Sequence, residues 1–300
     1  MNKARVPIFG QLWHFLLHLR WHYQVFILSG GYLMGGFFQQ TMDWTTFGTQ
    51  FLNVHLLLFG GATAYNSWWD KDEGAIGGLK HPPPMQRWMW IVSLLVQFAG
   101  FYFATMVSVP FAVVYAVSML FFWLYSTPLA RWKGTPVRSL VAIGVSTGTN
   151  SFLMGYLAAN PGGPISLVVV PASIGVALVI LSLYPTSQIY QTAEDRVRGD
   201  QTFAVVFGRE AVFTFFRYAF GSGVLLLSVA LGTASPWIGI TFLLLGMVTG
   251  GAINRLLNTL SLHADDYEKV MRIKYGTSLA FVLFLCAGII LKHHLHVLLF

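Results

Sequence analysis

Long apolar runs alternate with short polar segments along most of this chain. Each run has roughly 17–25 residues, which is long enough to cross a bilayer as an α-helix. Nine runs are present, with approximate bounds 22–40, 48–66, 89–107, 110–126, 139–159, 165–187, 211–231, 236–254 and 276–292. The pattern predicts an all-α integral membrane protein in which nine transmembrane helices form one domain over residues 1–300.

The composition supports this interpretation. Of 300 residues, 55% are hydrophobic and only 10% are charged, and the mean hydropathy is +0.63. A water-soluble core could not bury that much apolar surface, so a soluble globular protein is excluded.

The basic residues are distributed unevenly about the predicted spans. Every Lys and Arg except Lys292 lies in the N-terminal segment, in the loops after spans two, four, six and eight, or at the span ends beside them. The positive-inside rule makes that side cytoplasmic, N-terminus included, as in a multi-pass protein of a bacterial inner membrane. The net charge of +7 therefore indicates orientation, and we expect no nucleic-acid partner.

A polar cluster follows the second predicted span, in the segment Asn66-Ser-Trp-Trp-Asp-Lys-Asp-Glu73. Asn66, Asp70 and Glu73 are spaced at i, i+4 and i+7, so a continuing helix would present them on one face. Polar groups at a membrane edge are costly unless they have partners, and they often mark function.

A second polar cluster follows the sixth span, in Tyr190-Gln-Thr-Ala-Glu-Asp-Arg-Val-Arg-Gly-Asp200. If residues 188–198 are helical, Gln191, Glu194, Asp195 and Arg198 share one face, and Gly199 ends the helix. A solvated loop with weak surface ion pairs could explain one such cluster. Two clusters at the feet of apolar spans suggest a shared metal site.

Oxygen ligands without His or Cys favour Mg²⁺, which leaves coordination positions for water and substrate phosphates. The candidate metal ligands are Asn66, Asp70, Asp72, Glu73, Gln191, Glu194, Asp195 and Asp200. The expected ligand is a diphosphate, and nearby cations could bind its oxygens. These candidate cations are Lys80, Arg131, Lys133 and Arg198.

Four features together resemble the UbiA superfamily of intramembrane prenyltransferases. They are the nine spans, the Asn-x-x-x-Asp motif that begins at Asn66, the Gly-Asp-x-Thr motif that begins at Gly199, and the basic Tyr-Ser-x-Pro loop that begins at Tyr125. The resemblance implies a helical bundle around a central apolar cavity that opens to a polar site on the cytoplasmic side. The chain departs from the usual acidic patterns, because Ser67, Gly74 and Gln191 stand where the superfamily usually has Asp.

The resemblance implies Mg²⁺-dependent transfer of a prenyl group from an isoprenoid diphosphate to an aromatic or other lipophilic acceptor. Asp70 and Asp195 are the expected catalytic residues, and membrane lipids are the expected surroundings. The altered motifs keep a terpene cyclase of the same superfamily open, in which the prenyl chain attacks its own cation. A non-catalytic membrane binding or assembly protein with this fold, or a transporter, is the alternative from a different class.

Overall fold

The computed structural model describes residues 7–260 and 266–293, and this part of the chain is helical with no β-strand. An isolated bridge pairs Ile76 with Leu79. The α-helices of these residues are α1 (Ile8–Leu19), α2 (Trp21–Tyr23), α3 (Ser29–Phe38), α4 (Trp44–Leu52), α5 (Gly60–Asp70), α6 (Arg87–Thr105), α7 (Val109–Ser126), α8 (Pro136–Ile143), α9 (Asn150–Ala159), α10 (Val169–Ser182), α11 (Thr192–Arg198), α12 (Phe203–Gly232), α13 (Pro236–Leu257) and α14 (Tyr267–His293).

Several of these helices continue into one another through turns of different pitch. The π-helical segments Gln24–Leu28, Asn53–Phe59 and Gly144–Thr149 join α2 to α3, α4 to α5 and α8 to α9. A 3₁₀-helix, Pro185–Gln191, leads into α11. A π-turn accommodates an extra residue in a helix, and such turns are frequent near functional sites.

Within the described residues, seven helices are long and apolar enough to cross a membrane by length and composition. They are Arg87–Thr105, Val109–Ser126, Pro136–Ala159, Val169–Arg198, Phe203–Gly232, Pro236–Leu257 and Tyr267–His293. The predicted spans 22–40 and 48–66 correspond to the continuous helical stretches 21–38 and 44–70. These two stretches are not among the seven, so a count of nine spans stays a prediction.

The stretches 21–38 and 44–70 are less apolar because they lie inside the bundle and carry polar side chains there. The Gln24 amide donates to the Thr63 hydroxyl at 3.1 Å. The Asn53 amide donates to the Gly100 carbonyl at 2.9 Å, across to α6. Buried polar side chains that bond between helices are common in membrane bundles.

The core of the bundle contains a close crossing of α3 and α9. A Cβ built on Gly155 would lie 1.9 Å from the Tyr32 carbonyl oxygen, and one on Gly35 would lie 2.0 Å from the Phe152 carbonyl oxygen. Only glycine allows two backbones to approach this closely. The crossing fixes α3 in the centre of the molecule, where Tyr32 and Phe152 are fully buried.

Two local predictions about the acidic segments need correction. α5 ends at Asp70, and Lys71 adopts a left-handed conformation with φ of 51°, so Glu73 lies in the following loop and not on the helical face. In the second segment, α11 begins only at Thr192, because Pro185 lacks the N–H that a continuous helix would need and the chain forms a 3₁₀-helix instead. The predicted end of this helix is confirmed, since Gly199 caps α11 with φ of 78°.

Candidate functional site

A cavity of about 750 Å³ lies inside the bundle, and both acidic segments border it. Its walls are mostly apolar, with aromatic and aliphatic side chains such as Phe59, Phe122 and Leu227. The predicted site residues that border the cavity are Asn66, Asp70, Asp72, Lys133, Gln191, Asp195 and Arg198. The cavity therefore combines a charged region with an apolar chamber large enough for a lipid chain.

Asp70, the last residue of α5, is buried beside two cations. Its carboxylate contacts the Lys133 ammonium and lies 3.9 Å from an Arg131 guanidinium nitrogen. Burial raises the pKa of Asp70, and the neighbouring Lys133 ammonium opposes that effect. Because burial disfavours the charged form, Asp70 needs a cation beside it to stay ionised.

Arg198 connects the second acidic segment to the first. Its guanidinium lies 2.6 Å from an Asp72 carboxylate oxygen and donates to the Asp70 backbone carbonyl at 3.1 Å. The same guanidinium lies 3.4 Å from Glu194 and 3.7 Å from Asp195. One side chain therefore brings the end of α11 against the end of α5.

Asp195 is buried at the cavity wall near the start of α11. Besides its contact with Arg198, its carboxylate accepts a hydrogen bond from the Thr202 hydroxyl at 3.1 Å. Asp195 and Asp70 face the same cavity from different helices. A ligand in the charged region could contact both carboxylates.

The neutral members of the two segments bond to neighbouring groups. The Asn66 amide donates to the Ser126 hydroxyl at 3.1 Å, and the Gln191 amide donates to the Ala75 carbonyl at 3.3 Å. In each residue the amide oxygen is left at the cavity wall, where it can serve as an oxygen ligand for a metal ion.

Glu73, Glu194, Arg131 and Asp200 do not border the cavity in the described part of the chain. The Glu73 backbone N–H donates to Glu194 at 3.1 Å, which ties the loop after α5 to α11. Arg131 binds both Asp200 oxygens, at 2.7 and 2.8 Å. The hydrogen bonds to Asp200 raise the pKa of Arg131, so its guanidinium stays charged. Arg131 directly precedes the short 3₁₀-helix Trp132–Gly134, which contains Lys133 and is called the Lys133 turn.

Lys80 is placed apart from the other predicted cations. Its ammonium contacts Glu268 at the start of α14, and both side chains are more than half exposed. Together with Glu73, it borders a separate surface pocket.

The donor set fits Mg²⁺ if a substrate supplies further oxygens. Within residues 7–260 and 266–293, no three His, Cys, Asp or Glu side chains cluster closely enough to hold an ion by themselves. The cavity wall nonetheless presents the carboxylates of Asp70 and Asp195 and the amide oxygens of Asn66 and Gln191. Mg²⁺ commonly takes one or two carboxylates and completes its shell with water and phosphate oxygens.

Sequence reasoning missed several polar residues of the cavity wall. Tyr125 and Tyr184 share a hydrogen bond at 3.0 Å, and Arg20, Tyr190 and Lys274 also face the cavity. Tyr125 opens the Tyr-Ser-x-Pro loop, so its position was a usable signal. The other residues lie far apart in the sequence, and only the fold brings them to one chamber.

Comparison with known proteins agrees with the family resemblance seen in the sequence motifs. The profile of the UbiA prenyltransferase family matches residues 25–274. The digeranylgeranylglyceryl phosphate synthase of Methanothrix thermoacetophila is 29% identical over 237 residues, covering 77% of this chain and 82% of that protein.

Solved structures share the fold. A UbiA homolog from Archaeoglobus fulgidus bound to GPP and Mg²⁺ matches with a TM-score of 0.72 and 16% identity, covering 92% of this chain and 99% of that one. The same homolog bound to DMAPP and Mg²⁺ gives a TM-score of 0.67 at 15% identity, over 91% and 99% of the two chains. At this level of identity the similarity shows a common fold.

Proposed function

The chain belongs to the UbiA prenyltransferase family, and we propose that it transfers a prenyl group from an isoprenoid diphosphate to a lipophilic acceptor with the help of Mg²⁺. A named prenyltransferase relative and fold neighbours that bind GPP or DMAPP with Mg²⁺ support this reaction class. The acceptor is an aromatic compound or another lipid-soluble molecule.

The contact between the two acidic segments carries this proposal. Asp70 and Asp195 come from helices more than a hundred residues apart, yet both border one cavity and Arg198 bonds to both segments. Buried charge is costly, and a site that collects it beside an apolar chamber is suited to an ionic head with a greasy tail. A prenyl diphosphate has that chemistry.

The cations of the cavity wall have a defined task in this reaction. Lys133 and Arg198 are held by Asp70 and Asp72 in the structure, at the place where a diphosphate would lie. As C1–O bond cleavage proceeds, negative charge grows on the leaving diphosphate, and these fixed cations stabilise it. Arg131, braced by Asp200, positions the Lys133 turn.

Asp70 and Asp195, with the amide oxygens of Asn66 and Gln191, would hold Mg²⁺ beside the diphosphate. When bound, Mg²⁺ supplies Lewis-acid stabilisation of the leaving group. Ser67, Gly74 and Gln191 remove carboxylates that the superfamily usually has, so this chain relies more on its cations than a fully acidic site would.

The apolar chamber determines the fate of the allylic cation. Phe59, Phe122 and Leu227 exclude water from the space beside the charged region. After the C1–O bond has broken and diphosphate has left, the acceptor attacks C1, a new bond forms there, and the acceptor loses a proton to the released diphosphate. The Tyr125 and Tyr184 rings face this cavity and can stabilise the cation through their π faces.

The test is diphosphate release by purified protein with geranylgeranyl diphosphate, Mg²⁺ and a panel of acceptors. Asp70→Asn and Asp195→Asn should each lower the rate by about 100-fold or more, because each removes a carboxylate that would hold the Mg²⁺ beside the leaving group. Glu210→Gln, on the exposed face of α12, is the matched control and should retain the wild-type rate. Near-normal release by both cavity variants would refute the proposal.

The same assay distinguishes transfer from cyclisation. We expect the diphosphate to persist without acceptor and to be consumed when a suitable acceptor is added. A cyclic hydrocarbon or alcohol formed without acceptor, identified by mass spectrometry, would assign the cyclase activity instead.

A further inference from the structure

The first helix, α1, has an apolar face that the rest of the described chain leaves uncovered. The side chains on this face are Ile8, Phe9, Leu12, Trp13 and Leu16, of which Phe9 is 82% and Trp13 is 60% exposed. Successive residues of a helix are about 100° apart, so positions 8, 9, 12, 13 and 16 lie on one side of α1. A continuous exposed apolar surface of this kind marks a contact with a partner or a membrane.

The remaining surface of α1 packs against the first turn of α6. The rings of Phe15 and Trp88 have centroids 5.6 Å apart, and Leu19 belongs to the same apolar cluster as Met89. The Trp88 indole N–H donates to the Gln11 amide oxygen at 3.0 Å. Because α6 starts on the side of the acidic segments, these contacts fix α1 at the membrane boundary on that side.

The length of α1 agrees with a position in the boundary. A helix of 12 residues is about 18 Å long, whereas the hydrocarbon core of a bilayer is about 30 Å thick. The chain also turns after α1, because Arg20 adopts a left-handed conformation with φ of 49°. A short helix that presents Trp, Phe and Leu on one face is typical of helices that lie along the interface.

The charge of the N-terminal segment indicates the kind of lipid surface that suits α1. Lys3 and Arg5 precede the helix, and no acidic residue occurs before Asp43. Arg87, which is exposed, begins α6 beside Trp88. Basic residues at the boundary attract the headgroups of anionic lipids. The surroundings of α1 are therefore complementary to an anionic leaflet.

A second copy of the chain fits this apolar face less well. Stable interfaces between proteins bury about 800 Å² on each partner and involve roughly 20–30 residues a side. The exposed face of α1 offers five side chains on one 12-residue helix. That surface is small for a stable dimer, but it is sufficient for a helix whose other side is already held by the protein.

We propose that the exposed face of α1 inserts into the headgroup boundary of an anionic leaflet, on the side of the acidic segments, as an interfacial anchor. The anchor is independent of the prenyl transfer proposed above. It nevertheless acts close to the cavity, because α1 contacts the loop 71–86 that joins α5 to α6. Asp72, Ile76 and Gly77 of this loop border the cavity.

Three side chains at the turn between α1 and α2 hold the loop 71–86 by its backbone carbonyls. The donor and acceptor pairs are His18 and Pro83 at 2.8 Å, Arg20 and Gly77 at 3.2 Å, and His22 and Gly78 at 2.8 Å. The position of α1 on the leaflet therefore determines the position of the loop 71–86 at the cavity.

The first experiment measures the depth of α1 by spin labelling of the full chain in nanodiscs of phosphatidylcholine and phosphatidylglycerol. Single labels are attached to Phe9→Cys or Leu16→Cys in a Cys286→Ala background. Leu244→Cys, at an exposed position of the spanning helix α13, is the acyl-chain reference, and Val197→Cys, on the charged α11, is the aqueous reference. Collision rates with oxygen and with a water-soluble nickel chelate are measured at each position.

The ratio of oxygen to nickel collisions at positions 9 and 16 should lie between the two references. A ratio equal to that at position 197 would place α1 in water and overturn the proposal. Low collision rates with both reagents would assign the face to a protein contact, such as a second copy of the chain, and would also overturn it.

The second experiment tests lipid charge by hydrogen exchange in the loop 71–86. Ile76 and Leu79 exchange both backbone hydrogen bonds, at 3.0 and 2.9 Å, so their amide hydrogens report opening of the loop. In the wild type their exchange should be about threefold slower or more with phosphatidylglycerol present than in phosphatidylcholine alone, because binding to the leaflet stabilises the bound form.

Phe9→Ser combined with Trp13→Ser should abolish this effect of lipid charge. Trp237→Ser is the matched control, since it removes an exposed aromatic side chain from the start of α13, at the opposite boundary, and should retain the effect. An equal loss in the control would overturn the proposal. Equal exchange of the wild type in the two kinds of nanodisc would overturn it too, even if the double variant fails to fold.

Discussion

Arg198 makes more contacts between the two acidic segments than any other side chain described here. Its guanidinium is 17% exposed and bonds to the Asp72 carboxylate, which is 5% exposed, and to the Asp70 carbonyl. Breaking a buried pair by removing one partner leaves the other charge unpaired, which is more costly than removing both. At the residue scale, the site is a set of carboxylates whose positions depend on their cations.

Arg198→Met should therefore destabilise the protein by about 3 kcal/mol, because Asp72 loses its partner in a poorly solvated position. Thermal melting in detergent micelles checks this value. Asp72→Asn combined with Arg198→Met should recover part of the loss, since position 72 then carries no unpaired charge. A double variant with the summed loss of both single variants would show that the two side chains are not coupled.

Asp70 and Asp195 were predictable from the sequence because each lies at helical spacing within a polar cluster that follows an apolar span. Arg20 and Lys274 were predicted only as charges that orient the protein, because nothing in their local sequence distinguishes a buried arginine from a solvated one. Lys80 and Lys133 were both predicted to bind the diphosphate, yet Lys80 pairs with Glu268 on the surface. Ion-pair partners depend on the tertiary fold, so spacing along the chain does not determine them.

At the scale of helices, the apolar periodicity predicted most of the elements but not their local pitch. The π-helical segments 24–28, 53–59 and 144–149 have no glycine or proline signature in common. They arise where tertiary packing favours an extra residue in the turn. The helical stretches 21–38 and 44–70, which are not among the seven long apolar helices, are stabilised by polar contacts between helices that hydropathy does not detect.

The glycines at the crossing of α3 and α9 give a test at this scale. Gly155→Ala places a Cβ against the Tyr32 backbone and should lower stability by about 1–3 kcal/mol, because backbone atoms cannot move away as a side chain can. Gly251→Ala is the matched control, since a Cβ there meets nothing within 4 Å in α13. That control should be neutral or slightly stabilising. Equal melting temperatures for the two variants would exclude a tight crossing.

For the whole molecule, the essential property is that one chamber holds charge at one region and apolar surface at another. The fold class, the membrane character and the family followed from hydropathy and three short motifs. The cavity did not, because its wall is assembled from residues of α2, α3, α5, α7, α8, α10, α11, α12, α13 and α14, together with the three π-helical segments and the connections between helices. Cavity shape is a property of packing and has no signature in any one segment.

The most direct measurement is anomalous scattering from Mn²⁺ in crystals grown with inorganic pyrophosphate. We expect metal ions within roughly 2.0–2.3 Å of oxygens from both Asp70 and Asp195, bridged by one pyrophosphate that also contacts Lys133 or Arg198. Metal bound at only one of the two carboxylates, or pyrophosphate bound outside the cavity, would contradict a shared diphosphate site.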